Sequence, residues 1–277
     1  MKNLFAQGMP VTSPNLTGTP WGGYPGLLAL DFDGVLCDGL QEYFHTAWRV
    51  YCRIWKKGEV IPPEGLAEQF YRMRPVIESG WEMPLLVRAL LWPYPEKQLF
   101  SDWCGIAESI MEKDALSASI IGPRLNEDRD EQIRQDENSW LAMNRLYPGV
   151  PERLRSLLNG PVPLRIVTTK EERYARRILE RQQIYLPEEW IVGRSAKRSK
   201  HETLRRYLPE SGQEAAIWFV EDRLLTLQAI RRYPDLASIR LFLADWGYNT
   251  AEERERARAE GIQILSLQAF CADLSVW

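Results

Sequence analysis

The sequence predicts an α/β protein with a doubly wound parallel sheet of the Rossmann-like kind and an inserted all-helical cap. From residue 147 onward, strand-like and helix-like segments alternate, which is typical of right-handed βαβ units that build a parallel sheet. An earlier apolar strand, residues 27–30, precedes a long stretch with helical periodicity and no convincing strand. Because this first strand has no neighbour of its own, we expect it to join the later sheet across the helical stretch.

The composition limits the classes of function. A chain of 277 residues, 45% of them hydrophobic, can form one large domain or two ordinary ones with a proper core. The net charge of −3 gives no basic surface for nucleic acid or an anionic membrane, so we expect a small-molecule partner. No apolar run is as long as a membrane span, and the first residues do not resemble a secretory signal. Scattered cysteines without Cys-x-x-Cys spacing indicate a reducing compartment, so we expect a cytoplasmic protein. For the assembly we expect a monomer or a homodimer.

The first strand ends in an acidic motif. Residues 1–26 are rich in proline and glycine and are expected to form an irregular arm. Leu27–Leu30 has no polar alternation, which indicates a strand buried on both faces. Asp31 and Asp33 follow it, with Gly34 behind them to permit a sharp turn or the close approach of a ligand. Two like charges at a buried strand end repel and lose hydration unless something compensates them, so a metal or a reaction is implied.

The stretch from residue 39 to 146 is predicted to be the helical cap. Helical periodicity occurs in Leu40 to Trp55, Leu66 to Met73, Pro84 to Trp92, Leu99 to Met111 and Glu131 to Leu146. Breakers such as Gly80, Pro93 and Gly122-Pro123 separate these segments. The core is then predicted to comprise residues 27–38 and 147–277.

The second half of the chain supplies the other predicted strands and helices of the core. The strands are Leu164 to Thr168, Trp190 to Val192, Ala215 to Val220, Leu241 to Ala244 and Ile262 to Leu265. The helices lie around Arg153 to Leu158, Tyr174 to Gln182, Glu202 to Leu208, Leu224 to Arg232 and Ala251 to Ala259. In an open parallel sheet the reactive crevice lies beyond the carboxyl ends of such strands.

Polar side chains stand at several of these strand ends. They are Asp31 and Asp33, then Thr168 and Thr169, then Lys197 and Lys200 in a loop, then Glu221 and Asp222. Each group alone has an ordinary explanation, such as a solvated loop or a helix cap. Their convergence on one edge of the sheet favours a site that carries out chemistry.

These residues resemble the motifs of the haloacid dehalogenase superfamily, specifically its magnesium-dependent phosphatases with a helical cap inserted after the first motif. The segment Leu30-Asp31-Phe32-Asp33-Gly34-Val35-Leu36 is similar to the first motif. The segment Ile166-Val167-Thr168-Thr169-Lys170, preceded by Tyr147-Pro148-Gly149-Val150, is similar to the second motif of phosphoglycolate-phosphatase-like members.

The third and fourth motifs match less closely. Lys200 before Glu202-Thr203-Leu204 resembles the third motif, although Lys197 is an alternative; Lys200 is favoured because a helix follows it at once. Phe219-Val220-Glu221-Asp222 resembles the fourth, which usually reads Gly-Asp or Asp-Asp and often has another Asp a few residues on. Here the later positions hold Thr226 and Leu227, so the metal site is the less regular part of the match.

The resemblance implies a mechanism and a set of site residues. Asp31 would attack phosphorus to give an aspartyl-phosphate, and Asp33 would serve as general acid and then general base. Mg²⁺ would be held by Asp31, the Asp33 carbonyl and Asp222, with Glu221 binding directly or through water. Thr168 would bind phosphoryl oxygens and Lys200 would offset their charge. Further candidates for substrate contact are Thr169 and, in the cap near Gly80, Arg74 and Glu78.

Three functions remain open at this point. A phosphatase acting on a small phosphorylated metabolite is favoured, since a dehalogenase would need neither a second acid at Asp33 nor a magnesium site. A sugar-phosphate mutase of the same family uses the same first motif and a similar cap. A binding or regulatory protein with impaired turnover is the third, because the fourth motif is altered.

Overall fold

The computed structural model describes residues 23–56, 61–92, 94–210 and 216–277. Almost all of the predicted irregular arm (residues 1–26), the predicted breaker Pro93 and the predicted strand start at Ala215 lie outside these ranges. In the described residues, the strands are β1 Leu27–Leu30, β2 Cys37–Asp38, β3 Arg145–Leu146, β4 Leu164–Val167, β5 Ile191–Val192, β6 Ile217–Glu221, β7 Arg240–Ala244 and β8 Gln263–Leu265.

Helices connect and cover these strands. They are α1 Leu40–Tyr51, α2 Leu66–Met73, α3 Met83–Leu90, α4 Glu96–Ser101, α5 Trp103–Lys113, α6 Ala118–Ala142, α7 Val150–Leu158, α8 Glu172–Arg181, α9 Lys200–Tyr207, α10 Leu224–Arg231, α11 Ala251–Ala259 and α12 Leu267–Cys271. No described helix combines the length and the apolar character that a membrane crossing requires.

The central sheet confirms the predicted fold class. Six strands pair in parallel in the order β5-β4-β1-β6-β7-β8. Strand β1 lies between β4 and β6, with Leu28 paired to Leu164 on one side and to Trp218 on the other. The first strand therefore joins the later sheet across the helical stretch, as its isolation in the sequence predicted.

The continuous apolar run of β1 is explained by cover on both faces of the sheet. Leu28 and Leu30 belong to a buried cluster that includes side chains of α7, α8 and α12. Leu27 and Ala29, which point to the opposite face, belong to a cluster with side chains of α9, α10 and α11. Neither face is left for a polar residue, so the alternation seen in half-exposed strands is absent.

Helices α1 to α6 contribute most of a third buried cluster, which runs from Tyr43 to Leu125 and also includes Tyr248 from the second half of the chain. The division of the chain into a core and a cap at residues 39–146 remains a prediction. The periodicity placed helices α1 to α5 to within a few residues, with two refinements. Helix α1 ends at Tyr51 and continues as a π-helical turn, Cys52–Lys56, and the predicted Leu99 to Met111 helix is divided at Asp102.

The sequence-based boundaries of α6 were wrong at both ends. The predicted break at Gly122-Pro123 lies inside the helix. The real interruption is at Asp136, which has φ −157° and ψ 91° and accepts a hydrogen bond from the backbone N–H of Ser139 at 3.0 Å. Asp136 therefore acts as an N-cap for the final turns. The helix then ends at Ala142, because Arg145–Leu146 pairs antiparallel with Cys37–Asp38 in a two-stranded sheet. The helical periodicity of the sequence gave no sign of this strand.

Candidate active site

Three buried carboxylates meet at the carboxyl-terminal edge of the sheet. Asp31 follows β1, and Glu221 and Asp222 stand at the end of β6, so their positions are set by neighbouring parallel strands. One oxygen of each carboxylate lies within 4.8 Å of those of the other two. The Phe32 N–H donates to Asp31 Oδ1 at 2.7 Å, and the Tyr248 N–H donates to Asp222 Oδ2 at 2.7 Å.

Lys200 supplies the cation that touches two of these carboxylates. Its Nζ lies 2.8 Å from Asp31 Oδ2 and 2.6 Å from Glu221 Oε2. Lys200 is the first residue of α9, whose start is fixed by a reciprocal capping box between Ser199 and Glu202. Burial lowers the pKa of Lys200, but the charges of Asp31 and Glu221 outweigh it and raise the pKa above its usual value. Of the two lysines considered from the sequence, the one in contact with the strand-end carboxylates is thus Lys200.

A single ammonium does not balance three buried carboxylates. Burial, followed by the negative charge of Asp31, raises the pKa of Glu221 well above its usual range and also raises that of Asp222. A divalent cation would relieve this repulsion, and an all-oxygen donor set is the kind that Mg²⁺ prefers. The residues present therefore fit a magnesium site.

Glu221 has less freedom to bind a metal than its two neighbours. Its Oε2 accepts from Lys200, and its Oε1 accepts from the backbone N–H of Arg223 at 3.0 Å. Both oxygens thus already have donors, while Asp222 has one backbone donor, Tyr248. Of the two routes that the sequence left open for Glu221, this arrangement favours contact through water.

Two glycines allow the backbone to close around Asp222. Gly34 has φ +80°, and a Cβ at this position would lie 2.1 Å from Asp222 Oδ2. A Cβ on Gly247 would lie 2.3 Å from Asp222 Cβ and 2.5 Å from the Gly34 carbonyl oxygen. The sequence indicated close approach at Gly34 only, since Gly247 has no local signal that sets it apart.

Asp33 faces a different cation from Asp31. Its carboxylate oxygens lie 3.0 and 3.4 Å from Lys170 Nζ, and its side chain is partly open to the cavity. Lys170 follows β4 in the segment that resembles the second motif, but the sequence analysis gave it no role. The signal that could have found it is a lysine two residues after Thr168 on the same edge of the sheet.

The two threonines after β4 both border a depression at this edge, but only Thr169 also borders the cavity that contains Asp31. The Thr168 hydroxyl accepts a hydrogen bond from the Lys170 N–H at 3.1 Å, and its side chain borders a depression of about 400 Å³ together with Lys200. Thr169 borders both this depression and the cavity that contains Asp31. Thr168 is therefore not among the described residues that line the cavity with Asp31, whereas Thr169 is.

A narrow cavity of about 80 Å³ lies between the sheet edge and the helices above it. It is lined by acidic and basic side chains in equal number: Asp31, Asp33, Glu78, Glu171, Glu221 and Asp222, with Arg74, Arg129, Lys170, Arg194, Lys200 and Arg223. A larger cavity of about 920 Å³ lies beside α8 but contains none of the strand-end carboxylates or Lys200. We therefore regard the smaller cavity as the candidate site.

The structure brings both predicted cap residues, Arg74 and Glu78, to this cavity. Arg74 is only 8% exposed, and its guanidinium carbon lies 4.5 Å from the centre of the Tyr248 ring. Arg74 Nη1 donates to the Ile77 carbonyl at 2.9 Å, whereas its buried Nε has no hydrogen-bond partner in the described residues. Within the same residues no carboxylate lies within ion-pair distance of Arg74.

Arg223 connects the sheet edge to the segment after α2. The sequence did not predict this role for Arg223. Its Nη1 donates to the carbonyl oxygens of Pro75 at 2.5 Å and Tyr248 at 3.0 Å. Its Nη2 lies 3.2 Å from Glu78 Oε1. The sequence shows an arginine directly after Asp222, but it does not show that the side chain of this arginine reaches Pro75 and Glu78.

Solved structures of other proteins share this fold. A predicted phosphatase from Clostridium acetobutylicum matches with a TM-score of 0.55 and 14% identity, over 90% of this chain and 97% of that chain. A candidate phosphoglycolate phosphatase from Lactobacillus delbrueckii subsp. bulgaricus matches with a TM-score of 0.52 and 12% identity, over 87% and 94% of the two chains. A candidate haloacid dehalogenase-like hydrolase from Bacteroides fragilis matches with a TM-score of 0.50 and 15% identity, over 88% of this chain and 96% of that chain. No protein-family model and no curated protein matches this sequence.

Proposed function

We propose that this protein, which has the fold of haloacid dehalogenase-like phosphatases, is a Mg²⁺-dependent phosphatase that hydrolyses a small phosphorylated metabolite. The observation that carries the proposal is the buried cluster of Asp31, Glu221 and Asp222 beneath a lid of helices, with the ammonium of Lys200 in contact with Asp31 and Glu221. Two of the proteins that share the fold are described as phosphatases, which supports the same reaction.

Asp31 is the proposed nucleophile. Its carboxylate is held by the Phe32 N–H and by Lys200, so one oriented side chain faces the cavity at the strand end. An oxygen of Asp31 forms a bond to phosphorus while the bond to the leaving oxygen breaks, and water later releases phosphate and restores Asp31. Mg²⁺ bound by Asp31, Asp222 and the Asp33 carbonyl would offset the repulsion between carboxylate and phosphate.

Asp33 is the proposed acid and base of the two steps. It would give a proton to the leaving oxygen as the aspartyl-phosphate forms, and it would take a proton from the attacking water. The hydroxyl of Thr168 and backbone N–H groups would hold phosphoryl oxygens, and Lys200 would offset their charge. Thr169, which borders the cavity that contains Asp31, is a proposed substrate contact.

The helices above the site would exclude water from this chemistry. Tyr43, Arg74, Glu78 and Met83 come from this side of the cavity. Two unit charges about 4 Å apart interact by roughly 1 kcal/mol in bulk water and by about 4 kcal/mol at an effective dielectric constant of 20. Covering the site therefore strengthens each charge interaction several-fold.

The proposal is tested by release of phosphate from para-nitrophenyl phosphate. We expect steady turnover with Mg²⁺ and its loss when the metal is chelated. Binding of phosphorylated compounds without phosphate release would instead identify a binding protein. Transfer of the phosphoryl group to a second sugar phosphate, and not to water, would identify a mutase.

Arg74 is the proposed contact to the part of the substrate beyond the phosphate, with Glu78 beside it. The buried Nε of Arg74 lacks a partner and could be satisfied by a bound anionic or carbonyl group. For the best metabolite found in a substrate screen, we expect Arg74→Met to lower kcat/KM by about 10-fold or more, because a charged hydrogen bond is lost. Turnover of para-nitrophenyl phosphate should change much less.

A matched control for Arg74 is Arg153→Met on α7. Arg153 is also 8% exposed with a buried, unpartnered Nε, but it does not line the cavity. This variant should keep the substrate preference of the wild type. Equal losses on the metabolite and on the aryl ester in Arg74→Met would contradict a contact beyond the phosphate.

A further inference from the structure

We infer that Lys170 is a positioning residue that acts through Asp33, holding the carboxyl group that moves protons during phosphate transfer. The inference rests on the proposed phosphatase function and adds to it a residue outside the Asp31, Lys200 and Asp222 group. Its basis is an ion pair at the edge of the cavity, between Lys170, whose backbone is fixed by the surrounding structure, and Asp33.

The geometry of the pair is specific. Lys170 Nζ lies 3.0 Å from Asp33 Oδ1 and 3.4 Å from Asp33 Oδ2, so one ammonium contacts both oxygens. The Lys170 side chain is 4% exposed, whereas that of Asp33 is 19% exposed. The ammonium thus lies behind Asp33, and the carboxylate keeps an open side toward the cavity that both residues line.

The backbone of Lys170 is fixed on both sides of the residue. Its N–H donates to Thr168 Oγ1 at 3.1 Å, and its carbonyl accepts from the Arg194 N–H at 3.1 Å. A Cβ on Gly193 would lie only 2.3 Å from the Lys170 carbonyl oxygen, so the loop after β5 approaches here because it has a glycine. This packing determines where the Lys170 side chain starts.

Another carboxylate whose charge interacts with Lys170, that of Glu42, already has partners of its own. Glu42 on α1 is fully buried and accepts from Arg129 Nε at 2.7 Å, Arg129 Nη2 at 3.2 Å and Thr46 Oγ1 at 2.7 Å. The centre of the Tyr43 ring lies 5.1 Å from Lys170 Nζ. With Glu42 occupied and an aromatic ring above, the ammonium is directed to Asp33.

This pair suits the proton balance of the two-step reaction. In the first step Asp31 bonds to phosphorus, the bond to the leaving oxygen breaks, and that oxygen takes the proton of the Asp33 carboxyl group. Asp33 is then a carboxylate that must stay in place until water attacks, when it takes a proton from that water. A fixed ammonium in contact with both oxygens maintains the orientation of this side chain between the two steps.

The test is a double-mutant cycle measured with Mg²⁺ on para-nitrophenyl phosphate, a substrate with a good leaving group that keeps weak variants measurable. We expect Lys170→Met to lower kcat by about 10- to 100-fold with KM little changed, because a general acid or base is misplaced and not removed. In an Asp33→Asn background the same change should have almost no further effect. Lys170→Arg should recover part of the lost kcat.

The control is Arg173→Met, which removes a nearby cation whose ion pair with Asp130 lies at the surface. It should retain the wild-type kcat, and melting temperatures of all variants report their folding. A loss from Lys170→Met that persists undiminished in Asp33→Asn, or that appears mainly in KM, would overturn the inference and place Lys170 on the phosphoryl group or in a purely structural role. Failure of the proposed function is distinguished by absent turnover in the wild-type protein.

Discussion

Asp31→Asn is expected to reduce phosphate release by at least about 10³-fold, because an amide oxygen cannot form the aspartyl-phosphate. The change keeps the size of the side chain and an oxygen that can accept from the Phe32 N–H, which donates at 2.7 Å in the wild type. It should therefore remove the nucleophile with little change in shape. The measurement is kcat on para-nitrophenyl phosphate, together with trapping of the phosphorylated protein in acid.

Loss of folding should not account for this result. Asp31→Asn removes one negative charge from a buried group of three, and Lys200 keeps its ion pair with Glu221 at 2.6 Å, so the metal-free variant should stay folded, which its melting temperature reports. The matched control is Asp245→Asn, a carboxylate after β7 that is not among the described residues lining the cavity. It should keep wild-type turnover. Substantial turnover by Asp31→Asn would refute the assigned nucleophile.

Asp222→Asn is expected to abolish most of the effect of Mg²⁺ on both activity and stability. Activity at moderate Mg²⁺ should fall by at least about 100-fold, since the change removes a proposed metal ligand. The second readout is thermal melting without substrate. For the wild type, Mg²⁺ at 100 times its Kd should stabilise the folded protein by about 2.7 kcal/mol. Asp222→Asn should show little of this shift.

The metal-free proteins provide a further comparison. Burial and the charge of Asp31 raise the pKa of Asp222, so its charged form is unfavourable in the folded state when no cation is bound. A neutral asparagine should consequently leave the metal-free protein as stable as the wild type, or more so. The same Mg²⁺-dependent shift in wild type and Asp222→Asn would mean that Asp222 does not bind the metal. Asp245→Asn again serves as the control that keeps the shift.

The sequence by itself determined the fold class and the location of the acidic residues. Burial on both faces requires a continuous apolar run, so Leu27–Leu30 was recognisable as a central strand without any partner in view. Helix α11 was placed correctly from Ala251 to Ala259, where Thr250 and Glu253 form a capping box. Because parallel strands end at one edge, the positions of Asp31 and Asp222 after their strands were enough to predict that these two carboxylates meet.

Only the tertiary structure decided which side chains meet. The pairing of Cys37–Asp38 with Arg145–Leu146, the contact of Lys200 with Asp31 and Glu221, and the contact of Lys170 with Asp33 all join residues that are distant in sequence. Local periodicity reports which face of an element is apolar, and it carries no information about the partner across a gap. Short strands and buried ion pairs depend on that partner, so they emerge only when the chain is folded.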